Sequence, residues 1–180
     1  MNIRCFFLSV VSFIGFCFLL SSCLGKNDVS ANDYEDWRIE NEEYIKNAAT
    51  ELSEGRLRYD KVVPDWDKSV YTLMEWIEHG NSNEGINPIT NSTVKINYLL
   101  KNIEGDTLDY STGFVCQPVN LVTGFQVALY NMVPGDSVQA IVPYEAGYGS
   151  YSYGSVLPYS TLVFGIRLDS IRSYQSLPWR

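Results

Sequence analysis

The stretch "NLVTGFQVALYNMVPGD", residues 120–136, decides how the rest of the chain is read. Thr123-Gly124-Phe125-Gln126 has the T-x-x-Q spacing of a capping box, in which Thr and Gln each satisfy a free helical amide. Phe125, Ala128, Leu129 and Met132 then fall on one face at helical spacing. "VPGD" (133–136) puts Pro second and Gly third, as a tight turn requires, and closes the helix after about two turns. A helix this short cannot form a core alone, so its apolar face needs a sheet.

The flanking segments supply the sheet. "VKINYLL" (94–100) alternates, with Val94, Ile96, Tyr98 and Leu100 on one face. "SVQAIV" (137–142) and "TLVFGIRLDSI" (161–171) also read as strands, the second with Leu162, Phe164, Ile166 and Leu168 inward. "VYTLMEWI" (70–77) is a fourth, "NIEGD" (102–106) a hairpin turn around Gly105, and 108–119 an extended stretch broken by Gly113 and Pro118. Residues 79–93 form a loop rich in Gly, Asn and Pro. The expected class is α+β, an antiparallel sheet wrapped on one short helix.

Upstream, Tyr34, Trp37, Tyr44, Ala48 and Leu52 recur at helical spacing within residues 34–55, with Gly55 as the stop. That stripe packs on its own domain, the usual fate of an apolar helical face, or pairs with a second copy to make a homodimer. Arg56 to Lys68 reads as irregular, with Pro64 against a long helix.

The start of the chain reads as an export signal. Met1 to Arg4 is basic, Phe6 to Leu20 is apolar but short for a membrane span, and "LSSC" (20–23) follows. Small residues directly before Cys23 resemble the lipobox of bacterial lipoproteins, which implies cleavage before Cys23, its acylation, and a cell-envelope location, outer membrane first. An uncleaved anchor or an ordinary secretory signal are the other readings. Cleavage would remove Cys5 and Cys17 and leave Cys116 the only thiol in the domain, so no internal disulfide is expected. The expected organisation is signal 1–22, lipidated Cys23 and tether 23–33, helical segment 34–67, and domain 68–180.

Composition narrows the function. Apolar residues make up 46% of the 180, enough for a core, and the net charge of −8 argues against a nucleic-acid partner. The one histidine, His79, has no partner at ligand spacing, so neither a metal site nor a cofactor is expected. There is no G-x-S-x-G and no phosphate-cradling loop. Any chemistry here must need little acid–base or nucleophilic machinery.

Four blocks, in order, resemble the FKBP-type peptidyl-prolyl isomerases. "VKINYLLKNIEGDTLDYS" (94–111) is similar to V-x-V-x-Y, a Gly turn, then an apolar residue and Asp. "NLVTGFQVALYNMVPGD" resembles the V-I-x-G-[WF]-x-x-[AG]-L-x-x-M-x-x-G core. "VPYEAGYG" (142–149) and "VLPYSTLVFGIRLDSI" (156–171) resemble the last two, with Gly147 and Leu157 as departures. "YEDWRIENEEYI" (34–45) resembles the segment that precedes the domain in exported lipoprotein members from Bacteroidetes.

The resemblance implies a half-barrel curled around helix 124–132, with a pocket between sheet and helix. It implies Phe125 as the floor, in place of the usual Trp. Tyr98, Leu108, Phe114, Leu121, Val122, Val156 and Phe164 would line the walls. Asp109 and Tyr148 match the polar positions, Tyr148 to hydrogen-bond a substrate carbonyl and Asp109 to orient pocket groups. The implied activity is isomerisation of Xaa-Pro bonds in exported polypeptides. A non-catalytic, chaperone-like binding lipoprotein is the alternative, and a tyrosine-faced glycan-binding surface a third. Residues 144–158, "YEAGYGSYSYGSVLP", become the loop over the pocket mouth, with Tyr151 and Tyr153 unassigned.

Overall fold

The computed structural model describes residues 34–80 and 86–174. The signal 1–22, Cys23, the tether 23–33 and part of the 79–93 loop lie outside them. Helix α1 spans Glu35–Ala48. A two-stranded hairpin follows, β1 (Leu52–Ser53) on β2 (Arg56–Leu57). The main sheet comprises β3 (Asp60–Val62), β4 (Thr72–Glu78), β5 (Ser92–Lys101), β6 (Thr107–Cys116), β7 (Ser137–Val142) and β8 (Leu162–Tyr174). Helix α2, Thr123–Tyr130, lies between β6 and β7 in the chain. The strand order is β3-β4-β7-β8-β5-β6, antiparallel throughout.

The sheet buries both faces over part of its area. Met74, Val94, Ile96, Leu100, Val138, Ala140, Phe164 and Ile166 point inward and pack with Phe125, Ala128, Leu129 and Met132 of α2. Leu73 and Ile141 point outward and pack with Ile45 and Ala48 of α1 and with Tyr59. That is why Ala140, Ile141 and Val142 are all buried although they alternate between faces. Helix α2 sits so close to β7 that a Cβ on Gly124 would lie 2.2 Å from Val142 Cγ1. Thr72 Oγ1 fixes the start of that helix by donating to the Gly124 carbonyl at 3.0 Å.

Several local expectations change. Helix α1 ends at Ala48, not at Gly55. Leu52 lies in β1 and is 65% exposed, so it is no part of the packed stripe, while Asn41 and Ile45 are. Glu54 (φ 53°) and Gly55 (φ 79°) form the hairpin turn, two successive left-handed residues as a tight hairpin favours. The stretch read as irregular contains β3, whose three residues pair with β4. The T-x-x-Q capping box does not form. Val122 is the cap, with no side-chain capping bond, and Gln126 Nε2 donates to the Leu121 carbonyl at 2.8 Å instead. Strand β8 continues past 171 to Tyr174, because Ser92 and Thr93 extend β5 far enough to pair with it.

Candidate functional site

Strand β6 contains the feature that assembles the site. Ile96 pairs with Phe114, but Tyr98 pairs with Ser111, so β6 carries one extra residue there. Gly113 absorbs it at φ +67°, and its amide donates to Asn97 Oδ1 at 2.7 Å. Asp109 and Phe114 are five residues apart and would face opposite ways on a regular strand. Across the bulge both share the inner face, opposite Leu100 and Ile96.

Four aromatic rings meet on that face. Phe125 of α2 is 3% exposed. It meets Phe164 of β8 edge to face at 4.8 Å and Tyr98 of β5 at 6.1 Å. Tyr98 meets Phe114 at 5.9 Å, also edge on. Such contacts are the favoured geometry for aromatic quadrupoles. Phe114 remains 39% exposed and forms a rim rather than a wall.

The polar pair stands beside the rings. Tyr98 Oη donates to Asp109 Oδ2 at 2.7 Å, and the Tyr110 amide donates to Asp109 Oδ1 at 2.8 Å. Burial, then the hydrogen bond and charge of Asp109, push the Tyr98 hydroxyl up to about 12. Tyr148 is half-buried on the 144–161 loop, and burial, then Tyr153 and Asp109, also raise its pKa. Both hydroxyls stay protonated near neutral pH and remain donors. Burial likewise pushes the Cys116 thiol up to about 11, which makes it a poor nucleophile.

The ten residues expected at the site form one connected set. Phe125, Phe164 and Val156 are buried in the inner core, and Tyr98, Leu108, Leu121, Val122 and Tyr148 pack on it half-buried. Phe114 and Asp109 join through Tyr98. Sequence reasoning left Tyr153 without a task. Its ring stacks on Tyr148 at 4.6 Å with 7° between planes. A tight turn aims it, with Tyr153 and Val156 exchanging two backbone bonds of 3.0 and 2.9 Å across Gly154 at φ +57°. Ser155 Oγ donates to the Leu108 carbonyl at 3.3 Å and ties that turn to β6 next to Asp109. The clue in the sequence was a Tyr-Gly pair three residues before a pocket valine.

A cavity of about 350 Å³ lies elsewhere, between α1, residues 69–71 and residues 143–146, and none of the ten lines it. Among the described residues no three His, Cys, Asp or Glu side chains converge as a metal site would require. No helix among them is long and apolar enough to cross a membrane.

This half-open sheet closed over one short helix, with aromatic rings between them, is the FKBP fold. Residues 85–169 match the family of FKBP-type peptidyl-prolyl cis-trans isomerases. Two solved structures share the architecture. A peptidyl-prolyl cis-trans isomerase from Pseudomonas syringae pv. tomato superposes with a TM-score of 0.65 at 21% identity, over 78% of this chain and 96% of that one. FkpA from Escherichia coli gives a TM-score of 0.65 at 23% identity, over 78% of this chain and 62% of that one. At these identities the likeness is one of fold. No curated protein matches the chain in sequence.

Proposed function

We propose that the protein is a peptidyl-prolyl cis-trans isomerase acting on Xaa-Pro bonds of exported polypeptides, held at a bacterial cell envelope through lipid on Cys23. The observation that carries the catalytic part is the ring cluster of Phe125, Phe164, Tyr98 and Phe114 beside the Tyr98–Asp109 pair. The family match over 85–169 supports it. The export and lipid part rests on the sequence only: the basic Met1–Arg4, the apolar run Phe6–Leu20 and the "LSSC" stretch.

Rotating a peptide bond means crossing a barrier of roughly 18–20 kcal/mol, and no bond has to break. The twisted amide loses resonance and much of its dipole, so water favours the planar ground state more. An apolar, aromatic site removes that preferential solvation and can hold the twisted form. Phe125 takes the proline ring from below. Tyr148 donates to a carbonyl of the client outside the ring. Asp109 accepts from Tyr98 and from a backbone amide, so it orients donors rather than acting as a base.

Exchange of a peptide with a single Leu-Pro bond tests this. Wild type accelerates the exchange, and Asp109→Ala lowers kcat/KM while the fold persists. Exchange no faster than in buffer sinks the enzyme reading. The exposed aromatics Tyr153 and Phe114 at the site favour a second reading, a binding module that holds clients without isomerising them. That reading predicts suppression of client aggregation with no peptide exchange.

A further inference from the structure

We propose that helix α1, through Asn41, is a positioning element for the loop that holds Tyr148, so that residues outside the family match set the affinity of the site. The inference rests on the isomerase reading for its kinetic readout only.

The contacts run in one chain. Asn41 is fully buried, which a side-chain amide tolerates only when bonded. Its Oδ1 accepts the Thr161 amide at 2.6 Å, its Nδ2 donates to the Trp37 carbonyl at 2.8 Å, and its backbone carbonyl accepts Thr161 Oγ1 at 3.2 Å. The β7–β8 pairing ends at Leu162, opposite Val142. Thr161 is thus the first residue beyond the ladder, and Asn41 bonds its amide. One residue earlier, Ser160 Oγ accepts the Trp37 indole N–H at 3.1 Å.

Tyr159 comes next, at φ +60°, a conformation that a bulky side chain adopts only when its surroundings impose it. Its ring meets Tyr144 edge on at 5.4 Å, and the Arg38 guanidinium of α1 lies 6.0 Å from its centre. Its amide donates to the Gly149 carbonyl at 2.9 Å. That bond closes the loop from 149 to 159 on itself, immediately after Tyr148. Three successive residues fastened by α1 therefore hold the far end of a loop whose near end presents Tyr148. Helix α1 also packs on Leu73 and Ile141 of the outer sheet face, but this closure is what links it to the loop that presents Tyr148.

The test uses the full chain with Asn41→Ala, and Trp37→Phe as a milder partner that keeps the ring and removes the N–H. Two readouts are taken: KM and kcat on the Leu-Pro peptide, and amide hydrogen exchange at Tyr159, Val156 and β5. Losing one aligned donor to the client weakens binding about three- to tenfold, and because that contact holds substrate and twisted state alike, KM rises while kcat stays within about twofold. Tyr159 and Val156 exchange faster while β5 does not. A folded Asn41→Ala with unchanged KM overturns the proposal, whatever the exchange does, since its role is then attachment of α1 alone. If Asn41→Ala does not fold, Trp37→Phe decides by the same criteria. If wild type proves inactive, the isomerase reading fails separately, and faster Tyr159 exchange in the variants upholds the fastening while unchanged exchange refutes it.

Discussion

Replacing Phe125 by Leu separates two roles that one buried ring can hold. The substitution keeps an aliphatic side chain on α2 and deletes the edge contacts to Phe164 and Tyr98. Each such contact is worth about 0.5–1.5 kcal/mol beyond the area it buries, so the pair contributes roughly 1–3 kcal/mol. The ring is larger than the leucine side chain by roughly 20–30 Å³, which adds about 0.5–0.7 kcal/mol at ~24 cal/mol per Å³ of residual cavity. The expected loss is about 2–3 kcal/mol, well below the stability of an ordinary domain at roughly 5–15 kcal/mol, so the variant stays folded. Urea denaturation followed by tyrosine and tryptophan fluorescence measures it. If Phe125 also floors the site, kcat/KM falls about tenfold, equivalent to about 1.4 kcal/mol of transition-state binding. A loss of stability below about 0.5 kcal/mol refutes the packing argument. A full loss of stability with unchanged kcat/KM assigns Phe125 to the core and removes it from the site.

Three further outcomes are expected. Tyr153→Ala unstacks Tyr148, and kcat/KM drops about threefold to tenfold, the size of one loosened hydrogen bond, with little change in the urea midpoint. Gly124→Ala drives a methyl into Val142 and lowers the unfolding free energy by about 1–3 kcal/mol; an unchanged midpoint would mean α2 does not lie against β7 as described. Stability should hold from pH 7 to 9 and then fall. Tyr98 and Tyr59 are both pushed from 10.0 up to about 12 in the folded chain. Their contribution is complete below 10, the unfolded value, and is lost as pH rises through 12. Urea midpoints measured across that range check the sign.

How much of this was legible in the sequence depends on the range of the cause. The face of α2, the alternation of β5 and β8 and the turn at Gly135 follow from residues within one window, and each appears as read. The end of α1 does not, because Leu52 continues the apolar phase although the helix has already stopped at Ala48, where Thr50 folds back onto the Lys46 and Asn47 carbonyls. The capping box failed for a related reason: Thr123 and Gln126 have the right spacing, but the helix begins one residue earlier than that spacing assumes, with Val122 as its cap. In the site, family-like blocks put all ten residues on one cluster. What they could not supply was contact across the sheet. That Phe125 meets Phe164 depends on register, and that Asp109 shares a face with Phe114 depends on one extra residue in β6. Tyr153 was missed because a stack across a glycine turn leaves no periodic signature.

The place of β8 has a consequence for when this molecule can come into being. It is the last strand among the described residues, yet it lies between β7 and β5. Without it the sheet separates into β3-β4-β7 on one side and the β5–β6 hairpin on the other, with Phe125 and Tyr98 parted. Strands β7 and β5 must therefore each wait, unpaired along one edge, until residues 162–174 emerge. Pairings of such long sequence separation are slow to close. A chain that stops short of residue 162 lacks the strand that joins the two parts of the sheet and brings Phe164 to Phe125.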